Sequence, residues 1–199
     1  MILTRKFYNQ KTLKVAQDLL GCFLVRQIGK RIVKGIIAET EAYCGPKDKA
    51  NHASRGRTLR TEVMFGPSGH AYIYLIYGMY YCFNVVTEKE NYPAAVLIRG
   101  VWLFNSLPIR ALAKHDNPCC SAFINGPGKV CQHFQIDKKL NNWDLTQGQK
   151  LWIESNPCFK KENYKIIRTS RVGVNYAKEY KDKKWRFVLK TNFHVDLAA

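Results

Sequence analysis

The chain has 199 residues, near the usual size of one domain and long enough to bury a substantial core. Thirty-two Lys and Arg against fifteen Asp and Glu give a net charge of +17, an excess that suits a polyanion such as DNA, RNA or an anionic membrane surface. No apolar run reaches the ~18–20 residues that a membrane span needs, and the start, MILTRKFYNQ, lacks the apolar centre of a signal peptide, so a spanning or secreted protein is excluded and a cytoplasmic location is expected.

The cysteine and histidine content points away from metal. Seven cysteines are an odd number, and the neighbours Cys119 and Cys120 are poor partners for each other, so free thiols are expected. There is no Cys-x-x-Cys, and the five histidines never stand at the i, i+4 spacing of a helical zinc site. No metal and no cofactor are predicted.

In chain order, residues 9–20 carry Leu13, Val15, Ala16, Leu19 and Leu20 on a helical stripe that stops at Gly21. Residues 21–27 and 31–43 read as two strands joined at Gly29-Lys30. On the second strand side chains alternate, so Glu39, Glu41 and Tyr43 share one face while Ala38, Thr40 and Ala42 share the other. Two carboxylates and a phenol thus emerge together just before a Cys-Gly-Pro turn, where functional side chains often leave a rigid scaffold.

The stretch from residue 48 to 62 is polar and cationic, a loop able to carry His52 and phosphate contacts from a cluster including Arg55, Arg57 and Arg60. Neither Gly66-Pro-Ser-Gly69 nor Gly126-Pro-Gly-Lys129 is a nucleotide-binding P-loop, because no Gly-Lys-Ser/Thr follows the first and Val130 stands in the Ser/Thr place of the second. Residues 71–86 read as a hairpin broken at Tyr77-Gly78 and hold Tyr72, Tyr74, Tyr77, Tyr80 and Tyr81, five of the eleven tyrosines. A rigid ring with a hydroxyl suits a tip that stacks and hydrogen-bonds at once.

Residues 93–101 form a further strand whose single charge, Arg99, needs a carboxylate partner inside its apolar run. A broken helix is expected over 102–114 and a helix over 129–136. Three short strands follow at 150–154, 165–174 and 185–190, and residues 160–190 hold eleven Lys or Arg against three acids. Many strands, few helices and no regular βαβ alternation predict one α+β domain with a mainly antiparallel sheet.

The strings IIAETEAYCGPKDKANHASRGRT, MFGPSGHAYIYLIYGMYYCFNVV, VLIRG, NGPGKVCQ and RVGV closely resemble the alkyladenine (3-methyladenine, N-methylpurine) DNA glycosylases, in register from about Leu13 to Trp185. The resemblance implies a curved antiparallel sheet with surrounding helices and a protruding tyrosine hairpin. It also implies a monofunctional, monomeric base-excision enzyme that flips an alkylated or deaminated purine from double-stranded DNA and hydrolyses its glycosidic bond. Its catalytic groups would be Glu41 as base, with Arg99 and the main-chain carbonyl of Val172 holding the water. Tyr43, His52 and Tyr74 would clasp the base, Asn84 would reject guanine's exocyclic amine, and Tyr77 would fill the vacated stack. DNA contacts are expected from Met79, Tyr80, Arg57, Thr58, Arg60, Lys129 and Gly173. Leu59 departs from the family's pattern, which has a proline there.

The residues themselves agree with this chemistry. An ionised carboxylate both stabilises an oxocarbenium-like sugar and takes a proton from water, and Arg99 is expected to keep Glu41 ionised. Three rings suit an electron-poor base, since stacking contributes ~1–3 kcal/mol per base. The competing reading is a non-catalytic module in which the tyrosines stack single-stranded nucleic acid, and such a module has no use for a carboxylate beside its rings.

Overall fold

The computed structural model describes residues 1–104, 120–159 and 164–190. The expected helix over 102–114 falls outside them from residue 105 onward, as do His115, His194 and Cys119.

Among the described residues, nine strands join into one antiparallel sheet. They are β1 (Phe23–Ile28), β2 (Arg31–Tyr43), β3 (Ala71–Ile76), β4 (Tyr80–Val86), β5 (Ala95–Phe104), β6 (Cys120–Asn125), β7 (Leu151–Glu154), β8 (Lys165–Thr169) and β9 (Arg186–Lys190). The helices are short: α1 (Arg5–Tyr8), α2 (Thr12–Asp18) and α3 (Pro127–His133). This is the α+β class with a mainly antiparallel sheet that the alternating patterns predict. The main difference lies in the predicted strand 165–174, which ends at Thr169 and gives way to a loop carrying Arg171 and Val172.

The two long strands β2 and β5 form the spine, and the partner on each outer edge changes partway along. β2 pairs with β1 over Arg31–Ile36 and with β9 over Glu39–Glu41. β5 pairs with β4 over Ala95–Leu97 and with β6 from Gly100 to Phe104. The exchange of partners curls the sheet around a core that includes Val15, Ala16 and Leu19 of α2 and Val130 and Phe134 at α3.

At the point of exchange the β2–β5 ladder carries two compensating irregularities. Ile37 pairs with Val101, Glu39 with Gly100 and Thr40 with Ile98, so Ala38 is an extra residue on β2 and Arg99 an extra residue on β5. A bulge lets two successive residues fall on one face and re-aims the residues beyond it. Ile37 and Ala38 are accordingly both in the core, and from there the phase is reversed: Thr40 and Ala42 are buried inward while Glu39, Glu41 and Tyr43 take the opposite face. Opposite Glu39 stands Gly100, where a Cβ would lie 2.8 Å from the Phe123 ring and 3.0 Å from Cβ of Glu39, so only glycine leaves the carboxylate stem its space.

The loop after β2 is held by a buried ion pair. Arg171 donates to both Asp48 oxygens, Nη1 to Oδ2 at 2.6 Å and Nη2 to Oδ1 at 2.8 Å, and both side chains are inaccessible. Nη1 also donates to the Ala42 carbonyl, and Asp48 accepts from the amides of Cys44 and Ala50, so the charges are well supplied with partners. The pair ties residues 44–51 to the loop that follows β8. Removing one partner strands the other charge in the interior, a loss of about 3–5 kcal/mol. Asp48→Asn should therefore lower the unfolding free energy by that amount, read as a lower urea midpoint at unchanged slope, and a midpoint equal to wild type would show that the pair does not hold the loop.

Candidate active site

The reversed phase assembles one face of the sheet. Tyr72, Asn84, Leu97, Glu41 and Arg186 stand opposite one another in register across β3, β4, β5, β2 and β9. Residues two positions along from these share the face: Tyr74 and Ile76 on β3, Cys82 on β4, Ala95 and Arg99 on β5, Tyr43 on β2. A cavity of about 310 Å³ lies on this face, walled by those residues other than Glu41 and Arg186 and closed by Asn51, His52, Met64, Val172, Gly173 and Tyr176 from the loops. That is the lower end of the range for small-molecule sites.

Glu41 is fully buried directly behind three residues that line the cavity, Tyr43, Arg99 and Val172. Its Oε1 accepts from the Val172 amide at 2.7 Å and lies 3.5 Å from Nε of Arg99, while its Oε2 accepts from the Tyr43 hydroxyl at 2.9 Å. Burial pushes the Glu41 carboxyl above its ordinary value of 4.5, outweighing the Arg99 charge, the Val172 amide and the Tyr43 hydroxyl, all of which act to lower it. Arg99 thus acts in the expected direction, but burial outweighs it. The closest partner of Arg99 is instead Glu39, whose Oε1 accepts from Arg99 Nε at 2.8 Å and from Arg186 Nε at 2.6 Å. Burial also raises the Tyr43 phenol, so it stays a donor to the carboxylate.

The aromatic wall is built from His52, Tyr72 and Tyr74. The His52 and Tyr74 rings meet edge to face at 4.5 Å. Arg60 lies over Tyr74 at 5.0 Å from the ring centre, with a terminal nitrogen 3.4 Å from His52 Nε2. Because arginine can only donate, Nε2 is the acceptor and the proton sits on Nδ1, 3.0 Å from the Tyr72 hydroxyl. Burial and the Arg60 charge bring the His52 pKa down to about 4, so the ring is neutral at pH 7. Across the cavity the Asn84 amide donates to the Tyr72 carbonyl at 3.1 Å, which fixes its orientation.

At the rim, Tyr77 and Gly78 both have positive φ, 53° and 70°, and Met79 N donates to the Ile76 carbonyl, the pattern of a tight turn between paired strands. Gly78 supplies the permissive position, and Tyr77 is left 81% exposed with Met79 and Tyr80 beside it. The start of α3 packs closely here: a Cβ on Gly128 would come 2.9 Å from Cβ of Tyr80.

The structure thus brings together Arg99, Val172, Tyr43, His52, Tyr74, Asn84, Tyr77 and Gly173 around one cavity, with Glu41 bonded to Tyr43 and Val172 behind it. Arg60 joins them through Tyr74. Three of the expected DNA contacts do not line the cavity. Arg57 is turned to Glu62, Asn91 and the Phe65 ring, Thr58 is bonded within its own loop to Thr61, and Lys129 is exposed on α3. Sequence reading missed Arg171, whose guanidinium lies 4.8 Å from the centre of the Tyr43 ring and 5.1 Å from that of Trp185, and missed Arg186. The signal for Arg186 was present as a charged residue beside the apolar run Phe187–Leu189 of the final strand.

Comparison with known proteins agrees with this geometry. The family model for methylpurine-DNA glycosylase (MPG) matches residues 6–193. A protein of Methanocella arvoryzae, provisionally named a 3-methyladenine DNA glycosylase, is 47% identical over 100% of this chain and 97% of its own length. Proteins with the same provisional name from Ehrlichia chaffeensis and Alkaliphilus oremlandii are 47% and 42% identical, over 94% and 96% of this chain and 93% and 97% of their own lengths. The chain belongs to the methylpurine-DNA glycosylase family.

Proposed function

We propose that this chain excises alkylated or deaminated purines from double-stranded DNA, 3-methyladenine, 7-methylguanine, hypoxanthine and ethenoadenine being the candidate lesions, and that it does so by hydrolysis. The observation that carries the reading is a fully buried carboxylate whose contacts, Val172 N–H, Tyr43 O–H and Arg99, all belong to residues that line an aromatic cavity. Each carboxylate oxygen has two acceptor positions, so those contacts leave Glu41 able to accept a proton from water. In its ionised form it also sits where positive charge develops on the sugar as the base departs.

Tyr43, His52 and Tyr74 offer ring faces and edges to a flipped base, and Asn84 presents an amide to its edge. The exposed Tyr77 is suited to occupy the gap left in the duplex, offsetting part of the few kcal/mol that extrusion costs. Among the described residues no lysine lines the cavity, which supports water rather than an amine as nucleophile and hence no strand cleavage. A purely stacking module gains nothing from burying Glu41, which favours the enzyme over the single-strand-binding reading. The neutral His52 supports a packing role for that ring rather than proton donation to the leaving purine.

Three results are expected. In single-turnover assays on a duplex carrying one hypoxanthine, Glu41→Gln should abolish excision while retaining affinity for the lesion; near wild-type excision would remove Glu41 from the mechanism. Since Glu41 works ionised and its pKa lies above 4.5, the wild-type rate should fall as pH drops through a midpoint higher than that value. The His52 ring resonances should stay constant from neutral pH down to about 5 and titrate near 4. By the same linkage the unfolded chain binds this proton first, so the His52 contribution to stability is full above pH 6.5 and is lost as pH falls from there toward 4.

A further inference from the structure

Beneath Glu41 lies a second ionic assembly that the proposed reaction does not use. Glu39, on the same face of β2 and 2% exposed, offers a single oxygen, Oε1, to Nε of both Arg99 and Arg186. The two arginines come from different strands, β5 and β9, on opposite sides of β2. Both are engaged through Nε, and among the described residues no hydrogen bond takes up the terminal nitrogens of either. Arg99 lines the cavity, so its free fork is available to an occupant there. Two carboxylates and two guanidiniums make the group electrically balanced.

We propose that Glu39 is a positioning residue for the excision reaction: by holding Arg99 and Arg186 through their Nε–H groups, it keeps Arg99 from closing into a direct ion pair with Glu41 and turns the terminal nitrogens of Arg99 to the cavity. This rests on the role proposed above for Glu41. Arg99 Nε is 3.5 Å from Glu41 Oε1, and an ordinary charge-assisted bond of about 2.8 Å is a small movement away. Among the described residues, the hydrogen bond that competes for this guanidinium is the one to the Glu39 carboxylate. An Arg99 closed onto Glu41 would fill the second acceptor position of Oε1, leaving water only one on Oε2, and would no longer present its fork. Arg186 balances the second carboxylate, which otherwise would add its repulsion to Glu41.

The groups facing Glu41 are Glu39 and Tyr43 on its own strand, Arg99 on β5, Arg186 opposite it on β9, Cys82 on β4, Tyr74 on β3, and Val172 and Arg171 in the loop after β8. Within this set Glu39 and Arg186 act on Glu41 in opposite senses. Removing Glu39 takes away an anion and releases Arg99, so Glu41 should ionise more readily. Removing the Arg186 charge leaves Glu39 with one cation, so Glu41 should ionise less readily. A residue that merely packs would not move the two profiles in opposite directions.

The test is single-turnover excision of hypoxanthine across pH with wild type, Glu39→Gln, Arg186→Met and Glu41→Gln, alongside lesion-duplex affinity. Glu39→Gln should slow excision at least ~10-fold with affinity little changed, as expected when a reacting group is misplaced, and should move the acid limb to lower pH. Arg186→Met should move that limb to higher pH. A folded Glu39→Gln with the wild-type rate and limb overturns the proposal, as do limbs that shift in the same direction. If Glu39→Gln does not fold, Arg186→Met decides: a raised limb supports the proposal and an unmoved one overturns it. Near wild-type excision by Glu41→Gln would instead strike at the role of Glu41 itself, and this inference would fall with it.

Discussion

A fully buried carboxylate governs this structure. Burying the charge of Glu41 is costly unless it is surrounded by donors and opposite charge, and each element around the cavity contributes part of that compensation. β2 brings the Tyr43 hydroxyl, β5 brings Arg99, and the loop after β8 brings the Val172 amide. The compensation is incomplete, since burial still raises the Glu41 pKa. That imbalance suits a base: a carboxylate left somewhat short of stabilisation has more to gain from a proton or from a neighbouring positive charge than one saturated by an ion pair.

Supplying these donors requires the sheet to depart from regularity. A regular β2 would carry Ile37, Glu39 and Glu41 on the same side, which would drive two carboxylates into the core. The extra residue at Ala38 reverses the phase after Ile37, and the matching extra residue at Arg99 brings β5 back into step with Ile98 opposite Thr40. Once the phase is set, the in-register row from Tyr72 to Arg186 follows from strand pairing alone. The loops close the cavity from above, anchored by the Arg171–Asp48 pair, which leaves Tyr43 with a guanidinium close to its ring.

Much of this was legible in the sequence. Alternation from Ala38 onward placed Glu39, Glu41 and Tyr43 on one face, and the Tyr-Gly pair marked the turn between β3 and β4. A charge inside the apolar run of β5 implied a carboxylate partner for Arg99. Periodicity carries no information about which of two acids on one face takes that partner, because the choice between Glu39 and Glu41 depends on the bulge geometry. The Asp48–Arg171 pair was equally hidden: its members are 123 residues apart, and Arg171 sits where β-like composition continues past the true end of β8. Burial of Glu41 was also beyond a local reading, since depth arises from strands that meet only in the folded sheet.

The paired irregularities in the β2–β5 ladder give Arg99 two duties at once. It supplies the guanidinium beside both carboxylates, and it is the surplus residue that restores alignment after Ala38. Shortening either strand by one residue at this point leaves the other's surplus unmatched and slides everything beyond it out of step, including the opposition of Asn84 and Leu97 to Glu41. Chain length here is therefore coupled between two segments about sixty positions apart, |i−j| being 60 for Glu39 and Arg99, and insertions or deletions are tolerable only in compensating pairs. The loops that close the cavity are fixed by side-chain contacts such as the Arg171–Asp48 pair rather than by strand register, so their lengths are not coupled in this way.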